Sequence, residues 1–347
     1  MTTNKKSSVV NRRAFLKGSA AAVGGAAVIA KFGINKATAA EMKKVTFITP
    51  YGYLIGFAPV LNAVAGGHFE KAGLDITVLP GKGSSMAIQQ TLADRAKFVR
   101  ISGVDVVKAV DKGAPFVAIA TILQASPFFV VSPADSPIRT AKDMAGKKIG
   151  VVSVGGGTEN MLDVMLHKNG IDVATVSREA VGNGAGAYGL VKQGKLAAYI
   201  VSTGTVSRLN FAGEKILAWN VDEEVKGPGQ VYVTKRETLE NEPETVVQFL
   251  TAVNNSVQDL LAVKDGMFLL KRMLEHYEIL GARDLDYTVR AMREEEPLWF
   301  AEGKANLMRN VPARWDSITN GLINAGFVKP VDPASLYTNT FIDKVLV

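Results

Sequence analysis

Lys147-Lys148-Ile149-Gly150-Val151-Val152-Ser153-Val154, then Gly155-Gly156-Gly157-Thr158-Glu159-Asn160, then Met161 to Gly170, is the stretch that decides the fold. Ile149 to Val154 is a short, β-branched, apolar run, the composition of a strand buried on both faces. Gly155, Gly156 and Gly157 end such a strand and let the backbone turn tightly and approach a ligand. Met161, Leu162, Met165 and Leu166 recur at helical spacing, and Asn169-Gly170 is a helix stop. Strand, glycine turn and helix together aim free N–H groups and a positive dipole end at one point, where a small anion would sit. The same pattern also serves as a plain turn, with Met161 and Met165 in the core and Glu159 complementing the dipole. It has no Gly-Lys-Ser/Thr ending, so it is not a nucleoside-triphosphate loop.

Outward from this unit the design repeats. Val45–Thr49 reads as a strand ending in Pro50-Tyr51-Gly52-Tyr53, and Leu74–Leu79 as one ending in Pro80-Gly81-Lys82-Gly83-Ser84-Ser85. Phe98–Ile101 turns at Ser102-Gly103 into a helix, and Phe116–Leu123 and Phe128–Val131 are long apolar runs. The composition resets at Ser132-Pro133-Ala134-Asp135-Ser136-Pro137, after which a second strand–helix series begins. It runs through the central glycine turn to Val176–Val181, then to Ala197–Val201 and Ser202-Thr203-Gly204. Gln230–Thr234 is a further extended segment, and beyond Glu237 only amphipathic helices follow. Gly184-Ala185-Gly186-Ala187-Tyr188-Gly189 fits G-x-G-x-x-G, yet it does not open the first βα unit. No acid stands near Leu209, where a ribose-binding one would be expected, so a dinucleotide site is discounted and no cofactor is expected.

Asn11-Arg12-Arg13-Ala14-Phe15-Leu16-Lys17 resembles the twin-arginine export motif, and Gly18 to Ala30 is a weakly apolar core. Ala37-Thr38-Ala39 is a cleavage signal, placing the mature start near Ala39/Ala40 and the mature protein in the periplasm. The apolar run falls short of the roughly 20 residues a bilayer requires. The 347-residue chain carries 40 Lys+Arg against 33 Asp+Glu. Without the seven basic residues of 1–39 the balance is neutral, so charge offers no case for nucleic acid or a membrane surface. With no Cys, disulfides, thiolate nucleophiles and Cys-ligated metals are excluded, and His68, His167 and His276 lack metal-ligand spacing.

These features together resemble a periplasmic substrate-binding protein of an ABC importer. The carrying residues are the export signal, Pro50–Tyr53, Gly81–Ser85, Lys142-Asp143-Met144-Ala145-Gly146-Lys147-Lys148-Ile149-Gly150-Val151 and Gly155–Asn160. Within that class the chain is similar to the group binding sulfonates, taurine, nitrate and thiamine-pyrimidine precursors. Arg100 departs from the small or apolar residue usual in its strand. The resemblance implies an α/β, two-lobed periplasmic-binding-protein fold (type II), each lobe a mainly parallel sheet flanked by helices. It places a discontinuous first lobe at 40–128 plus 231–347 and a second at 129–230. The chain would cross between them near Ala125–Val131 and Gly227–Val233. Enzymes of the same fold use cysteines that this chain lacks, and no G-x-S-x-G occurs, so no catalysis is expected.

Ligand-binding turns are then expected at the carboxyl ends of strands: Tyr51, Tyr53, Ser84, Ser85, Arg100 and Ser102 from the first lobe. From the second come Gly156, Gly157, Thr158, Glu159, Gly184 and Thr203. Ser84 and Ser85 could hold oxyanions or only cap a helix. Tyr51 and Tyr53 could wall a ring or chain, or one could pack inward. Arg100 either pairs a buried acid or clamps a carboxylate or sulfonate. The preferred ligand is a small organic anion, a sulfonate or carboxylate, delivered by a monomer to an ABC permease and its ATPase. A thiamine-precursor pyrimidine held by Glu159, or a periplasmic sensor role, are the alternatives.

Overall fold

The computed structural model describes residues 42–346; the export signal and cleavage site expected within 1–40 lie outside the described residues. Among the described residues, ten strands form two five-stranded sheets. In chain order they are β1 (Lys43–Thr49), β2 (Leu74–Pro80), β3 (Phe98–Ile101), β4 (Phe116–Leu123) and β5 (Phe128–Pro133). Then come β6 (Lys148–Val151), β7 (Ser177–Ala180), β8 (Ala198–Ser202), β9 (Ile216–Asn220) and β10 (Gln230–Lys235).

The first sheet has the order β2-β1-β3-β10-β4 and the second β7-β6-β8-β5-β9. Each has one reversed strand between its third and fourth parallel members, β10 in the first and β5 in the second. Each reversed strand reaches its sheet straight from the other one, so the chain passes between the lobes twice. The two passages are tied together. Gly229 N–H donates to Leu123 O at 2.9 Å, and a Cβ there would stand 1.9 Å from Ala125 O. Asp222 accepts from the Ser126 N–H at 3.1 Å and from Arg314 at 2.7 Å.

Helices cover the sheets because their apolar residues recur on one face. Val246, Phe249, Leu250, Val253, Val257 and Leu260 of the Pro243–Ala262 helix are all buried at that spacing. Phe249 stacks on Phe98 at 4.2 Å between centroids and meets Phe47, Phe69 and Tyr232. Burying one such ring contributes about 1.5–3 kcal/mol. The two-lobed α/β fold expected from the sequence is the one observed.

Two local expectations need correction. The strand expected at Ile149 to Val154 stops at Val151, and Val154 is 66% exposed. Its cause is local: the Val152 N–H donates to Thr158 Oγ1 at 2.9 Å, and Gly156 N–H closes on Ser153 O, so the turn starts three residues early. Strand β9 was not foreseen, because its half-buried residues show neither a continuous run nor clean alternation.

Candidate functional site

The carboxyl ends of the parallel strands of both sheets face one cavity of about 460 Å³, within the range of small-molecule sites. After β1 it is lined by Pro50 and Tyr51, after β2 by Gly83 and Ser84, and after β6 by Val152, Ser153, Gly157 and Thr158. Asn183 and Gly184 follow β7, and Ser202, Gly204 and Thr205 follow β8. Three helices of eight residues or more begin here: Ser84–Leu92, Gly157–Lys168 and Thr203–Phe211. Their first turns leave N–H groups that the helices themselves cannot pair, and their dipoles add positive potential.

Leu54, Ile55 and Phe57 supply apolar wall, with Phe128 at the start of β5 and Ala291 on the Leu285–Glu294 helix. Two cations reach the lining. Arg208 lies 3.6 Å over the Tyr287 ring, donates to Gly281 O at 3.0 Å and reaches Asp284 at 3.4 Å. Burial pushes the Tyr287 hydroxyl up to about 12, so it stays a donor, here to Gly204 O.

The other cation is Arg100, 2% exposed, opposite Glu295, 8% exposed. Arg100 Nη1 donates to Gly56 O at 2.6 Å, and its guanidinium stands 4.8 Å from the Phe57 ring centroid. Burial lowers the Arg100 pKa, against the attraction of Tyr232 and Glu295. Burial raises the Glu295 carboxyl, against the attraction of Arg100. Among the described residues, Arg100 Nε and Glu295 Oε2 have no hydrogen-bond partner, which is uncommon for buried charged groups.

Of the residues expected from sequence, Tyr51, Ser84, Arg100, Gly157, Thr158 and Gly184 line this cavity. The other six stand elsewhere. Tyr53 points inward, its hydroxyl donating to Val78 O at 2.9 Å and its ring 5.0 Å from Tyr277. Ser85 donates to Gly155 O at 2.7 Å outside the cavity, and Ser102 caps the Gly103–Asp111 helix. Thr203 is held on Pro127 O at 3.1 Å, and Gly156 is boxed in by Ser153. Glu159 accepts from the Gly155 N–H at 2.5 Å, stands 3.9 Å from Arg178 and lines a separate, open groove. A ligand in the cavity therefore meets Glu295, not Glu159. Glu295, Tyr287 and Arg208 were missed in the sequence. One signal was present: Thr288, Ala291, Met292 and Glu295 fall at buried helical spacing, and an acid on such a stripe is out of place.

Comparison with known proteins agrees with this architecture. A family model described as NMT1/THI5 like matches residues 55–265. The riboflavin-binding protein RibY of Chloroflexus aurantiacus is 24% identical over 307 residues, covering 87% of this chain and 86% of that protein. A solved structure from Bordetella bronchiseptica superposes with a TM-score of 0.73 at 23% identity, covering 88% of this chain and 97% of that one. The alkanesulfonate-binding protein SsuA of Xanthomonas axonopodis pv. citri, bound to MOPS, gives 0.64 at 15% identity, covering 86% and 99%. At these identities the structural likeness establishes the fold.

Proposed function

The chain belongs to the NMT1/THI5-like family, and from that premise we propose that it is the extracytoplasmic solute-binding component of an ABC-type importer. It captures a small organic anion, a carboxylate or sulfonate with an apolar body, and acts as a binder, not a catalyst. The observation that carries this reading is the convergence of three helix starts and two arginines on one mainly apolar cavity. Helix starts favour negative charge, and the apolar wall accommodates the rest of the molecule. The alkanesulfonate-binding neighbour supports the same ligand class.

On this reading residues 1–39 are a twin-arginine signal, supported by Arg12-Arg13, and the mature protein is a periplasmic monomer. Lobe one is 40–128 plus 231–347 and lobe two 129–230. The loaded form docks on a membrane permease driven by its ATPase.

A second reading has one observation of its own. Glu295 is a buried acid in the cavity lining, which suits a planar heterocycle with a ring N–H, and the riboflavin-binding relative points the same way. A pyrimidine held by Glu159 has no such support. A thermal-shift screen of organic carboxylates and sulfonates against flavins and aminopyrimidines separates the readings. Ligand at 100 times its Kd stabilises by about 2.7 kcal/mol, which raises Tm by roughly 5 °C for a chain this long. Stabilisation by the anions is the expected result; stabilisation by the heterocycles alone overturns it.

A further inference from the structure

The glycines of the strand–helix turns suggest, in sequence, bare backbone for a ligand to approach. In the structure, four of them face the opposite lobe. A Cβ on Gly83 would stand 2.9 Å from Ser153 Oγ, and one on Gly155 2.7 Å from Ser85 Oγ. On Gly182 it would stand 2.7 Å from the Tyr51 hydroxyl. On Gly157 it would stand 2.9 Å from Ser102 Oγ and 3.0 Å from Asp105 Oδ2. Every one of these partners belongs to the other lobe: Tyr51, Gly83, Ser85, Ser102 and Asp105 follow strands of the first sheet, and Ser153, Gly155, Gly157 and Gly182 follow strands of the second. We propose that Gly83, Gly155, Gly157 and Gly182 form a seam on which the lobes close over the cavity. They are positioning residues, shaping ligand capture by letting backbone meet the facing lobe.

Hydrogen bonds cross the same seam. Ser85 Oγ donates to Gly155 O at 2.7 Å, Asn160 Nδ2 to Asp105 Oδ1 at 2.7 Å, and Lys108 Nζ to Asn160 Oδ1 at 2.6 Å. None of these bonds survives if the lobes stand an ångström or more apart, because hydrogen bonding fades beyond roughly 3.5 Å. Close approach at Gly157 is therefore what brings Asp105 and Asn160 within reach. Gly157 is also the cleanest place to test the idea. It starts a helix outside the left-handed region, so alanine suits its backbone, and the nearest atoms a methyl would meet lie on the other lobe.

The chain has no cysteine, so an introduced pair reports closure without background. Ser85 Cβ lies 3.9 Å from a Cβ built on Gly155, inside the disulfide range of about 3.5–4.5 Å. The variant Ser85→Cys/Gly155→Cys, oxidised with diamide in the absence of any ligand, should form that cross-link. Adding Gly157→Ala should slow it at least about tenfold, equivalent to roughly 1.4 kcal/mol against closure. Gly189→Ala, a methyl with nothing within 4 Å, should leave the rate unchanged. Opening relieves the Gly157→Ala clash, so that variant should keep the parent's far-UV spectrum and melting point. The proposal is overturned by a cross-linking rate indifferent to Gly157→Ala, or by a Gly157→Ala protein that does not fold. The test needs no ligand, so its failure would leave the ligand reading standing.

Discussion

The two halves of the cavity are made of different material. The first lobe presents long side chains: Arg100 and Glu295, both buried, Leu54 to Phe57 as wall, and Tyr287 from the helix packed on that turn. The second presents mostly short ones and backbone: Ser153, Gly157, Thr158, Gly184, Ser202 and Thr205, with Arg208 as its one long cation. A surface of bare helix starts suits many anions, whereas a buried arginine and carboxylate accept few partners. The first lobe is thus built to choose the ligand and the second to close over it. This division can be broken at several points.

The largest effect is expected from Arg100→Met. It removes the cation whose attraction offsets the burial of Glu295, a loss of about 1–3 kcal/mol at neutral pH. The loss should shrink in acid as Glu295 takes up a proton. Arg100→Met/Glu295→Gln should recover most of the stability but not binding. Urea melts at pH 5 and pH 8, paired with the ligand screen, check both statements. If the double variant binds like the parent, choice does not reside in the first lobe.

Next in size is a pH effect on closure. Asp105 is 2% exposed at the seam, and burial raises its carboxyl, against hydrogen bonds from Ser102, Asn160 and Ser84. Lys108, bonded to Asn160, is a cation of that network. Opening returns Asp105 towards the ordinary carboxylate value, so the closed form binds more protons across the interval between the two. Closure is therefore favoured below the ordinary carboxylate pKa and weakens as pH rises through the raised one. The cross-linking rate, corrected for thiolate content, should fall with rising pH in that window and lose this dependence in Asp105→Asn.

A smaller effect is expected at the other edge of the cleft. Tyr287 donates to Gly204 O across the lobes, and Tyr287→Phe removes that bond while keeping the ring under Arg208. A net loss of about 1 kcal/mol, roughly fivefold in ligand affinity, should appear by calorimetry with stability barely changed.

Which parts of this were legible in the sequence follows from how local each signal is. The turns at Tyr51, Ser84 and Thr158 could be read because strand, turn and helix lie within a few residues of one another. Tyr51 and Tyr53 could not be told apart, because both sit beyond the strand where alternation no longer decides a side. Only the tertiary packing of Tyr277 and Val78 O draws Tyr53 inward. Glu159 looked like a cleft acid because it sits in the first turn of the right helix, but that turn wraps its carboxylate back onto the Gly155 N–H. Glu295 and Tyr287 were hidden for the opposite reason. They lie far along the chain in a helix whose pattern reads as ordinary packing, and only its return to the Ile55–Phe57 turn brings them to the cavity. The turn glycines were recognised, but what they face depends on the other lobe.

The most direct measurement is a crystal structure of the mature protein with whichever carboxylate or sulfonate stabilises it most in the screen. The account predicts density in the cavity, its acidic end on the N–H groups near Ser84 and Thr158 and its apolar body against Leu54, Phe57 and Phe128. Density in the groove beside Ser85, Glu159 and Arg178, with the cavity lacking it, would contradict the account.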